Sequence, residues 1–140
     1  MAANINVNLS GVVLQVIDNA IATARVNSSV GTIGLPGSEA THIDYMPINN
    51  GIGLAVTLPA PTIWVLFVRN LGGINGTPVG NITVQTAVVG GALVSAQNSP
   101  VVLPGGVYIY WQPTESAGGI ISVNLVASVN NVPAEILMAA

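Results

Sequence analysis

The sequence predicts an all-β fold, an antiparallel β-sandwich or jelly roll of about nine or ten short strands. Three observations carry that prediction. Apolar and polar residues alternate with a period of two, as in Ile82-Thr83-Val84-Gln85. Clusters of Gly, Pro and Asn recur at strand-length intervals, with turns every 8 to 12 residues or so. The apolar runs are rich in Val, Ile and Thr, which pack well on a pleated surface.

The elements follow in order. Ile5, Val7 and Leu9 alternate with Asn4, Asn6, Asn8 and Ser10, giving a strand with one apolar and one amide face. Its place at the N-terminus suits an arm or edge strand over residues 1–11, ahead of a single sandwich domain over 12–140. Val12 to Ile17 is apolar on both faces; strand is favoured, with a helix from Val12 to Ala24 as the alternative. Gly31, Gly34, Pro36 and Gly37 mark a loop. His42–Ile48 and Ile52–Leu58 flank Asn49-Asn50-Gly51, a hairpin signal. After Pro59 and Pro61 comes Thr62–Asn70, the most apolar strand, placed at the centre of a sheet. Asn81–Val89, Ala92–Ala96, Val107–Trp111, Ile120–Ser128 and Val132–Met138 complete the series, separated by Gly-containing turns. In Val107–Trp111, one face carries Val107, Ile109 and Trp111 and the other Tyr108 and Tyr110.

Composition narrows the function. The 140 residues are 51% hydrophobic and only 5% charged, where a soluble domain carries about 25% charged residues. So little charge points to a surface hidden in an assembly. With no lysine and two arginines, Arg25 and Arg69, nucleic-acid binding is not expected, because phosphate recognition needs several cations. A membrane span is not expected either, because the best window, Gly51–Val68, contains Pro59 and Pro61. The stretch from Met1 to Leu9 lacks the basic segment and apolar run of an export signal. No cysteine is present, which excludes disulfides and thiolate chemistry.

No catalytic residue, cofactor site or metal site is expected. His42-x-Asp44 puts two possible metal ligands on one strand face, and a zinc site needs at least three from the protein. The one histidine has no serine in a nucleophile-elbow pattern beside it. The carboxylates Asp18, Glu39, Asp44, Glu115 and Glu135 form no motif. Two features point to interfaces. Tyr108 and Tyr110 form either a second core layer with hydroxyls reaching a loop or a lateral subunit contact, and the contact is favoured because tyrosine is enriched at interfaces. Ile5, Val7 and Leu9 suit an N-terminal clamp that pairs with a neighbour's sheet edge.

The segments "IWVLFVRNLG" (63–72), "NITVQT", "VVLPGGVYIYW", "GGIISVNLVAS" and "VPAEILMAA" resemble small bacteriophage virion proteins. In those proteins a strand ending in Val-Arg-Asn precedes an Ile-Thr-Val strand, a Leu-Pro-Gly-Gly turn and a Ser-Val-Asn-Leu strand. The resemblance covers the C-terminal half and consists of turn and strand motifs. It implies a capsid decoration (cement) protein on the outer surface of the virion head. Such a protein is a homo-oligomer, commonly a trimer, that reinforces contacts between major capsid proteins. Alternatives are a capsid or spike jelly-roll subunit, a self-polymerising surface filament, and a carbohydrate-binding module using Trp64, Trp111 or tyrosines.

Overall fold

The computed structural model describes residues 4–6, 32–34, 40–111 and 118–140. For the first two segments and for Trp111 the description is of the backbone. Among the described residues there are ten strands: β1 (Asn4–Asn6), β2 (Thr32–Gly34), β3 (Ala40–Ile48), β4 (Leu54–Val56), β5 (Val65–Asn70), β6 (Ile82–Val88), β7 (Val101–Val102), β8 (Val107–Trp111), β9 (Ile120–Ala127) and β10 (Val132–Ala139). β1 and β2 pair antiparallel with each other. The other eight form two antiparallel four-stranded sheets, β3-β10-β5-β8 and β4-β9-β6-β7.

The topology has a simple origin. β3 pairs with β10, β4 with β9, β5 with β8 and β6 with β7. The eight strands are therefore one long hairpin folded on itself, with its tip between β6 and β7. Rolling that hairpin brings β10 beside β5 and β9 beside β6, which is the jelly-roll form of the sandwich. The roll is what allows each sheet to bury one face. Ile48, Leu66, Val68, Ile136 and Met138 from the first sheet meet Ile82, Val84, Val123 and Leu125 from the second in one apolar cluster.

Alternation decides which residues enter that cluster. In β6, Ile82 and Val84 are buried while Thr83 and Gln85 are half-buried on the outside. In β10, Val132, Ala134, Ile136 and Met138 share the inner face. The expected alternation of Ile121 with Val123 and Leu125 is broken, because the β6–β9 register shifts between Ala87 and Val88. Ile120 takes the core position at full burial and Ile121 is turned outward.

Three other strand expectations are corrected. β3 and β4 are in different sheets, so His42–Ile48 and Ile52–Leu58 are not the arms of a hairpin. A tight Asn-Gly hairpin turn needs positive φ at both central residues. Here Gly51 has φ 83 and Asn50 is not among the positive-φ residues. The chain is instead drawn onto β9, where Asn49 O accepts from Ala127 N at 3.1 Å. Ala92–Ala96 forms no strand; a 3-10 turn follows at Ala96–Asn98. The Gly-rich loop around Gly31 and Gly34 contains β2. The expected strand at Val12–Ile17 lies outside the described residues. Thr62–Asn70 does contain an inner strand, β5, flanked by β10 and β8.

Candidate functional site

The outer face of the first sheet is built row by row from the strand register. Glu135 of β10 stands opposite Arg69 of β5, and Arg69 opposite Val107 of β8. On the other side of Glu135, the β3 register shifts between Ala134 and Ile136, leaving Asp44 and Tyr45 both beside it. The next row is His42, Leu137, Phe67 and Ile109. A polar row thus lies against an apolar row.

The polar row and His42, which heads the row beside it, close into a compact ion cluster. His42 Nε2–H donates to Glu135 Oε1 at 3.0 Å. His42 Nδ1 lies 3.4 Å from Asp44 Oδ1, and Arg69 Nη1 lies 3.7 Å from Glu135 Oε2. Glu135 is the hub, with one oxygen turned to the imidazole and the other to the guanidinium. It is also the least exposed of the four, at 25% against 46 to 89% for the others. Such solvent-facing pairs contribute little each, about 0 to 1 kcal/mol. Their effect is to hold the four side chains together in one patch.

Glu135 is the residue that the sequence did not connect to His42 and Asp44. It lies 93 residues from His42 in the chain, so no spacing rule could join them. With it, one nitrogen and two carboxylate oxygens lie within 4.8 Å of one another, a donor set of the size a divalent cation requires. These atoms already have partners in each other and in Arg69, and the cluster needs no ion to be satisfied. His42, Phe67, Glu135 and Leu137 line a shallow hollow of about 290 Å³ beside it.

Every Asp, Glu, Arg and His among the described residues belongs to this one cluster. The remainder of the described sandwich surface has no charged side chain. It exposes apolar residues instead, among them Tyr45, Ile52, Val79, Leu103, Val107 and Ile109. The outer face of the second sheet is solvated by neutral amides. There Asn124 Nδ2 donates to Gln85 Oε1 at 2.7 Å, and Gln85 Nε2 donates to Val94 O at 3.1 Å.

The structure places the two tyrosines on the inner face of β8. Tyr108 pairs with Val68 and Tyr110 with Leu66, and both of those partners are core residues. The two rings therefore face into the sandwich, half-buried against the core. The Tyr110 hydroxyl donates to Gly118 O, so this is the second-layer arrangement with a hydroxyl reaching a loop. Burial, and secondarily the charge of Tyr110, pushes the Tyr108 pKa up from its ordinary value of 10.0. The outward residues of β8 are Val107 and Ile109, at 48% and 46% exposure.

At the N-terminus, the backbone of Ile5 pairs with Ile33 in the β1–β2 ladder. Val7 and Leu9 lie outside the described residues, as does the side chain of Trp111. Trp64 is half-buried, and its ring would be 3.3 Å from a Cβ placed on Gly119, so the indole rests against the β9 entry. A hollow of about 600 Å³ lies at the loop end between Pro47, Asn49, Asn50, Ile52, Asn130 and Asn131. It contains no aromatic platform for stacking a sugar. No described helix is long and apolar enough to cross a membrane. No protein-family model, curated protein or solved structure matches this chain.

Proposed function

We propose that this chain is a structural virion subunit, a decoration (cement) protein that binds the outer surface of a capsid head and stabilises contacts between major capsid proteins. One observation carries the reading. All the described charges are gathered in a single cluster, and the rest of the described sandwich surface presents apolar and neutral polar groups to its surroundings. A surface of that kind is stabilised by being covered, because burying apolar area yields about 25 cal/mol per Å². Repetition over a symmetric shell multiplies modest contacts into firm attachment.

A second reading is a shell or spike subunit. It is favoured by the strand order, since jelly rolls recur in viral capsid proteins as well as in lectin domains and cupins. The two differ in whether the shell needs this chain to form. Purified chain would be mixed with preformed heads that lack it, and binding followed by co-sedimentation. Saturable addition with a rise in the head's melting temperature is expected for a decoration protein. Heads that cannot assemble without the chain would replace that reading with the shell-subunit one, and a chain that neither adds to heads nor is needed for them would overturn both.

A further inference from the structure

Four strand edges bound the two sheets, and three of them discourage pairing with another chain. β3 is bent by the register shift beside Glu135, contains Pro47, and bears His42 and Asp44. β4 has three residues and β7 two. Short strands, proline, charge and bulges are the usual guards of an edge. β8 has none of them: its five residues, VYIYW, include no charge and no proline, and its register with β5 is unbroken.

Its unpaired hydrogen-bonding groups can be identified. Asn70 N donates to Gly106 O at 3.0 Å, and Gly105 N, at φ 75, donates to Asn70 O at 2.9 Å. That glycine turn, which lies ahead of β8 and leaves the strand's own register unbroken, directs Gly106 O toward β5. By antiparallel alternation, Tyr108 and Tyr110 then direct their N–H and C=O to β5, while Val107, Ile109 and Trp111 direct theirs away. Among the described residues no strand pairs with that side.

We propose that β8 pairs antiparallel with β8 of a second copy of this chain, about a two-fold axis through Ile109. The strand reads nearly the same in both directions. Reversal sets Ile109 against Ile109, Tyr108 against Tyr110 and Val107 against Trp111, so the groups that face outward meet each other and no like charges oppose. Aromatic and β-branched pairs are the stabilising cross-strand combinations. The two first sheets become one eight-stranded sheet, and the outer row of Leu137, Phe67 and Ile109 runs on into the same row of the second copy. The contact is isologous and closes at two. It rests on the assembly reading above, and it departs from the trimer that the resemblance implies.

The chain has no cysteine, so a single Ile109→Cys variant gives an unambiguous cross-link. Hydrogen-bonded residues facing each other across an antiparallel ladder have Cα atoms about 5.5 Å apart, within disulfide reach. Under mild oxidation I109C is expected to form a covalent dimer at least about tenfold faster than Val79→Cys, an exposed loop control. Light scattering on the wild-type chain should give two copies or a multiple of two. Ile109→Pro, which removes an N–H directed away from β5, should give single copies with an unchanged β-type circular dichroism spectrum. Should I109P unfold, the cysteine result still decides. Cross-linking of I109C no faster than the control overturns the proposal. So does a preference, in a chain carrying both Ile5→Cys and Ile109→Cys, for cross-links that join position 109 to position 5, which would make the N-terminal strand the occupant. An odd-numbered oligomer, or a single copy that still adds to heads, overturns the β8 pairing and leaves the assembly reading intact. A single copy that does not add to heads overturns both.

Discussion

At the scale of single residues, Asn70 shows how one amide can organise a loop-rich fold. It is fully buried, and each of its polar atoms has a partner. Nδ2 donates to Gly80 O at 2.8 Å and to Val102 O at 2.9 Å, and Oδ1 accepts from Gly72 N at 2.8 Å. The end of β5, the Gly80 loop and β7 are thereby tied together. Asn70→Ala would leave the buried Gly72 N–H and Gly80 carbonyl without their side-chain partner and take a second donor from Val102 O, and is expected to destabilise by about 3 kcal/mol in urea unfolding. The Val-Arg-Asn pattern was visible in the sequence, while the clasp was not, because its partners lie 2, 10 and 32 residues away. Tyr108 gives a pH prediction. Its pKa is raised in the folded state, so above about pH 10 the unfolded chain loses the phenolic proton first. The unfolded state then binds fewer protons than the native one, and stability falls as pH rises. Tyr108→Phe should flatten that alkaline decline, as measured by denaturant midpoints across the range.

At the scale of elements, the strands that the sequence exposed most clearly are those with one consistently apolar face. β6 follows its alternation closely, β9 does so from Val123 onward and β10 from Ala134 to Met138, and β5 is an inner strand as its apolar run implies. What alternation does not reveal is which face is the inner one when both are apolar. In β8 either choice buries aromatic or β-branched groups, and only the pairing with Leu66 and Val68 turns the tyrosines inward. Pairing partners were equally hidden, since the tight-turn signal at Asn50-Gly51 is local and the jelly-roll pairs are not. The two long edges of the first sheet differ in a testable way. Converting both His42 and Asp44 to valine would strip the charge from the β3 edge while leaving β3's inward residues in place. The variant is expected to remain folded and to self-associate further than the wild type, as read by light scattering. An unchanged mass would mean that the bulge and Pro47 guard that edge by themselves.

For the whole molecule, the nested pairing of β3 with β10 and β4 with β9 means that the first sandwich strands wait for the last. Loop closure over such separations slows folding. The candidate site has the same origin: Glu135 reaches His42 only because β10 lies beside β3, which explains why the sequence offered two ligand-type residues and the structure three. With the described charges gathered in one cluster, association through the rest of the described surface should be governed by apolar and amide contacts and be nearly indifferent to salt. The apparent Kd for heads is expected to change by less than about threefold between roughly 0.05 and 0.5 M NaCl. A steep weakening would assign the contact to the ionic cluster instead. The scarcity of basic residues also makes the chain its own unfolding gauge. An arginine- and lysine-directed protease has two possible sites, Arg25 and Arg69, and Arg69 sits in β5 between two hydrogen-bonded neighbours. Cutting there requires β5 to leave both ladders at once, so the rate of that single cleavage reads the opening of the whole roll rather than the fraying of any loop.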